Sequence, residues 1–159
     1  MAGVRKQTLS GLSEVLRRLN KEIDDIELHT REGLTEATLV VKADSVRKTP
    51  IDLGNLRNSA FILVTDGQVD NASPPFTGKD AGKASDDHSK VISKAQGIVG
   101  KGKHRFNAIV GYSANYAFWV HEMPAHFNFN SGTNKFLEKA LLKNKNRILK
   151  ILIKHAKLK

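Results

Sequence analysis

At 159 residues, with 40% hydrophobic content and no cysteine, the chain suits one domain with its own core and excludes disulfides and thiolate metal sites. Its formal net charge of +10 is unevenly placed: from Lys135 onward nine Lys or Arg stand against one acid, Glu138. That makes a cationic surface suited to nucleic acid or an acidic protein ring, or else a solvated helix face. The opening MAGVRKQTLSGL lacks a signal-peptide core, and no apolar run approaches the roughly 18–20 residues of a membrane span, so a soluble intracellular product is expected.

In chain order, Leu9, Leu12, Leu16, Leu19, Ile23 and Ile26 alternate at spacings of three and four, a heptad seam that predicts a core-facing helix or one that also meets a neighbouring subunit. Gly33 is read as a kink or break before a second helix, with Leu34, Ala37 and Val41 buried, ending near Lys48 because Pro50 follows. Asp52 and Gly54 predict a tight turn, with Gly54 at positive φ, feeding a strand over Ser59–Thr65. Four consecutive apolar residues in that strand imply burial on both faces.

Residues 67–104 are read as a long mobile loop or insertion, rich in Gly, Pro, Ser and Asp over 67–90 and carrying weak strands at Val91-Ile92 and Ile98-Val99. Phe106–Tyr112 alternates as a strand, and Tyr116–Glu122 is a short helix stopped by Met123-Pro124. The last helix spans about Asn134 to His155, with Leu137, Leu141, Ile148, Ile151 and Leu152 on its core face; Phe136, Leu149 and Ile153 form a second stripe that hints at a partner surface. The elements predict an α+β fold: helices packed on a small, mainly antiparallel sheet, with a long central loop and a long C-terminal helix.

Motifs with catalytic overtones fail on their geometry. Gly97–His104 nearly matches a phosphate-binding loop, but His104 stands where a Ser or Thr hydroxyl must hold magnesium, and a strand follows instead of a helix. His121 and His126 are five positions apart with Pro124 between them, the wrong spacing for two ligands on one helical face. Asp86-Asp87-His88 falls in the loop and is read as solvated. No nucleophile elbow is present, so no catalytic residue, metal or cofactor is expected.

Three short blocks carry a family resemblance: Thr49–Ser59, Tyr116–Glu122 and Lys135–Leu141. In this order they resemble the tail-completion, or head-tail neck, proteins of long-tailed double-stranded DNA bacteriophages. Pro50, Asp52, Gly54, Leu56, Arg57 and Ser59 occupy the first motif. Tyr116, Ala117, Val120, His121 and Glu122 occupy the second, and Phe136, Leu137, Ala140 and Leu141 the third. Family members often carry Pro where Lys135 stands and Gly where Met123 stands, which predicts a differently shaped loop here.

The resemblance implies a single tail-completion-like domain over 1–159 and a non-enzymatic virion protein, made in the host cytoplasm. It would help join the DNA-filled capsid to the tail as a layer of an oligomeric ring, hexameric by analogy. Its partners would be other neck and tail proteins, with non-specific DNA contact in the channel and no membrane. Lys143, Lys150 and Lys154 are the candidate partner contacts, and an Arg57–Glu122 ion pair is expected where the first two motifs meet. The alternative is a small basic nucleic-acid-binding module reading phosphates and not bases.

Overall fold

The computed structural model describes residues 7–65, 68–70, 74–99, 106–124, 126, 127 and 129–157, and of residues 7–11, 68 and 69 the backbone alone. The first element is a single helix, α1 (Gln7–Lys48), of 42 residues, about 63 Å long at 1.5 Å per residue. Gly33 does not interrupt it. Glycine weakens a helix by roughly 1 kcal/mol but keeps its backbone donor, and the flanking residues are strong helix formers. Arg47 and Lys48 sit in the last turn, where the helix dipole favours cations.

After a one-turn helix, α2 (Asn55–Asn58), come strands β1 (Ala60–Val64) and β2 (Gln68–Asp70), helix α3 (Ala81–Gln96), strand β3 (Ala108–Tyr112), short helix α4 (Ala117–His121) and helix α5 (Phe136–Ala156). The sheet has the order β2-β1-β3 and is antiparallel throughout, with Phe61 opposite Gly111 and Ile62 opposite both Asp70 and Val110. The fold is α+β, and β1 is buried along its whole length, as its apolar run implies.

The two faces of β1 are covered by different helices. Phe61 and Leu63 pack with Ile92 and Ala95 of α3. By alternation Ala60, Ile62 and Val64 turn to the opposite face, and α1 contacts both β1 and β3. The region read as loop therefore holds an essential layer: Ala81–Gln96 is helical, Val91 and Ile92 lie in that helix, and Ile98 and Val99 in the turn after it. His88, Ile92 and Ala95, at helical spacing, form the buried face of α3. His88, expected in solvent, is 1% exposed.

The most extensive contact between elements joins α1 and α5. Asn144 Nδ2 donates to Asp44 Oδ2 at 3.0 Å, and His155 Nε2 lies 2.8 Å from Glu36 Oε2. Later residues of α5 thus meet earlier residues of α1, so the helices run antiparallel. Helix α5 has 21 residues, about 32 Å, and accompanies only the C-terminal half of α1.

Candidate functional site

The first motif closes the end of α1. Thr49 N donates to the Ser45 carbonyl at 3.0 Å, and Gly54 takes φ +82° as expected before starting α2. Arg57 does not reach Glu122. Its Nε donates to the Thr49 carbonyl at 3.0 Å and its Nη2 to the Arg47 carbonyl at 3.4 Å. A guanidinium there satisfies carbonyls that the helix leaves open at its negative end, which outcompetes a distant surface carboxylate. Ser59 is buried, donating from Oγ to the Leu56 carbonyl at 2.8 Å, while its own carbonyl accepts from Ser113 N at 3.0 Å.

All three motifs meet at this end of the sheet. Leu56, Ala117 and Phe136 form one buried cluster, with Tyr112, Val120 and Leu137 packed against it. The Phe136 ring meets Tyr112 and His121 edge-on, with centroids 5.0 Å and 4.9 Å away. The Tyr112 hydroxyl bonds Ser45 Oγ at 2.7 Å and Thr49 Oγ1 at 2.9 Å, and burial raises its pKa. Ala140 is fully buried, whereas Leu141, expected in the core, is exposed.

Glu122 is held by two neighbours. Lys135 Nζ donates to Oε2 at 2.6 Å, and His121 Nδ1 lies 2.7 Å from Oε1. The Lys135 bond is the larger cause that lowers the Glu122 pKa, and Glu122 in turn raises that of Lys135. Lys135 has φ +51° and its N–H donates to the His121 carbonyl at 2.8 Å. Thus Lys135 ties α4 to the start of α5 from a left-handed conformation. His126 is exposed.

Around this cluster several large apolar side chains are exposed. Trp119 is 71% exposed and contacts Phe118 edge-on at 5.6 Å; Ile51, Leu53, Tyr116 and Phe127 are also exposed. A shallow groove of about 600 Å³ runs between the Pro50–Leu56 turn and Met123, Phe127 and Phe129, and Asp52 and Tyr116 line both it and a neighbouring groove of about 420 Å³. A third, about 230 Å³, is lined by Phe118, His121, Phe136 and Leu137. His121 Nε2 is enclosed with no hydrogen-bond partner among the described residues.

The heptad seam of α1 is not core. Leu12, Leu16, Leu19, Ile23 and Ile26 are between 45% and 53% exposed, and Val15 and Leu28 are similar. They precede the segment that α5 covers. Leu9 lies outside the residues with described side chains. On α5, Leu142, Leu149 and Ile153 form an exposed stripe, while Phe136 of the expected second stripe is buried.

Of the three lysines expected to meet partners, two are occupied within the chain. Lys143 Nζ lies 3.7 Å from Asp44 Oδ1, and Lys154 Nζ lies 3.9 Å from Glu36 Oε2; Lys150 is exposed. Asp44 is also bonded by Lys48, the main cause of its lowered pKa.

The chemical motifs are dispersed. His88 Nδ1 bonds Ser113 Oγ at 2.6 Å, and its ring meets Phe61 and Phe76, so Asp86-Asp87-His88 lies in helix α3 and not in a solvated loop, with His88 turned into the core and Asp86 exposed. Of the phosphate-loop-like stretch, Gly97–Val99 turns after α3, and residues 100–104 lie outside the described residues. No protein-family model, curated protein or solved structure matches this chain.

Proposed function

We propose that this chain is a structural virion protein of the phage neck or tail, joining capsid to tail as one layer of an oligomeric ring. The carrying observation is the seam of α1: five apolar residues at heptad spacing stand half exposed on a helix segment that, among the described residues, α5 does not cover. Contiguous apolar surface of this kind marks an interface, and heptad spacing suits a helix from a neighbouring copy. The aromatic surface at Phe118 and Trp119 lies at the other end of α1, beside the cap of the helix. Two separate apolar patches on one subunit fit head-to-tail contacts, which close into a ring when the rotation between copies allows it. The motif resemblance supplies the capsid-to-tail junction as the setting.

The basic-module reading rests on the lysines of α5. Two of them, Lys143 and Lys154, sit beside acids of α1 that offset part of the local positive charge.

Sedimentation across a concentration series, alone and with purified tails and tailless heads, tests the proposal. The wild-type chain should form higher-order species and promote head-tail joining. Leu16→Lys with Ile23→Lys should lose both while keeping the monomer fold. A chain that stays monomeric with heads and tails present, or tight sequence-selective DNA binding by the isolated protein, would refute the neck reading.

A further inference from the structure

We infer that His29, Glu32 and His155 form a binding site for a divalent transition-metal ion of the zinc class, with Glu36 orienting His155. The three donor atoms lie within 4.8 Å of one another, the one such group among the described residues. His29 Nδ1 is 3.4 Å from Glu32 Oε2, and His155 Nδ1 is 3.7 Å from the same oxygen. A tetrahedral ion with ligands at about 2.0–2.1 Å needs donor atoms roughly 3.3 Å apart, so small side-chain rotations suffice to close the site.

The second observation concerns the imidazole of His155. Its Nε2 bonds Glu36 Oε2 at 2.8 Å, whereas the Nδ1–Glu32 distance of 3.7 Å exceeds hydrogen-bonding range. A carboxylate on one ring nitrogen fixes the tautomer and leaves the other nitrogen's lone pair facing the remaining ligands, the usual outer support of a metal-bound histidine. Glu32 and Glu36 follow His29 by one and two helical turns, so α1 presents all three in a row. His155 reaches that row because Gly33 lets α5 approach. Two histidines and one carboxylate leave a fourth, solvent-facing position, and the ion would fasten the end of α5 to α1. This inference does not depend on the neck assignment.

The test uses the full chain, without added histidines, stripped of metal and titrated with Zn²⁺ by calorimetry and with Co²⁺ by visible spectroscopy. One ion per chain, four-coordinate cobalt bands and a zinc-induced rise in thermal midpoint are expected. His29→Ala truncates a half-exposed side chain outside the core, so the fold survives, and it should abolish all three signals. Glu36→Gln should weaken binding about ten-fold or more. His121→Ala with His126→Ala should leave binding unchanged. Absence of saturable zinc binding in the wild-type chain, or binding retained in His29→Ala, would overturn the assignment.

Discussion

His155 lies directly over Gly33: a Cβ placed on Gly33 would stand 3.0 Å from the His155 Cβ. The glycine is thus a contact point where two helices close up, and its cost in helix propensity is retained for that reason. Gly33→Ala gains roughly 0.5–1 kcal/mol of propensity and loses a similar amount by displacing α5. No net stabilisation is expected in chemical denaturation. Gly33→Val, with no propensity gain to match its bulk, should destabilise by about 1–3 kcal/mol. A Gly33→Ala protein more stable by the full propensity gain would show that α5 shifts freely.

His88 anchors α3 to the sheet through Ser113 and two aromatic rings. His88→Ala opens a cavity beside Phe61 and leaves the Ser113 hydroxyl without that partner. The expected loss is about 2–4 kcal/mol in denaturant unfolding. Wild-type stability in this variant would mean that α3 contributes little to the core.

Acid should destabilise the fold. The hydrogen bond from Lys48 lowers the Asp44 pKa, that of His155 lowers Glu36, and that of Lys135 lowers Glu122. Each carboxyl binds protons less readily folded than unfolded, so the unfolded chain takes up more protons as pH falls. Their stabilisation is complete above the ordinary carboxylate range, about pH 4–5, and disappears as pH drops through the lower folded values. A thermal midpoint that declines below about pH 4, with a shallower decline in Asp44→Asn, is the expected result. A flat profile over that range would remove these pairs from the stability account.

Charge reversal on α5 should divide by position. Lys143→Glu and Lys154→Glu place acids beside Asp44 and Glu36, so together they should lower the thermal midpoint, only slightly because both lysines are exposed. Lys150→Glu, at an exposed position, should leave the thermal midpoint unchanged. Equal melting shifts from all three would contradict the pairing described.

Strands β1 and β3, helix α4 and helix α5 were readable because apolar runs and alternation stand between strong punctuation at Pro50, Gly54 and Pro124. The meeting of the three motifs around Phe136 follows from that order. Helix α3 escaped because its buried face is only His88, Ile92 and Ala95 in a segment rich in Gly, Ser and Asp; an imidazole serving as a core residue carries no hydrophobic signal. Strand β2 had a cue in Asp66-Gly67, a dipeptide common in hairpins, followed by Gln68-Val69-Asp70. The Arg57 cap spans only eight to ten positions, but which acceptor the guanidinium takes depends on how the Pro50–Gly54 turn folds back. The His29–Glu32–His155 group is tertiary, and its support joins Glu36 to His155, 119 positions away. No local window contains that group.

The unaccompanied half of α1 bears on when the helix forms as well as what it touches. A segment without tertiary cover holds together by local propensity, which is marginal in water over this length. In a lone subunit its amides should exchange with solvent faster than those opposite α5, at a cost tied to local opening and not to global unfolding. If copies associate through the seam as proposed, docking on a neighbour would complete the helix and bury the seam in one event. Each newly added copy would be conformationally finished by the copy before it, so growth would outpace nucleation at low subunit concentration.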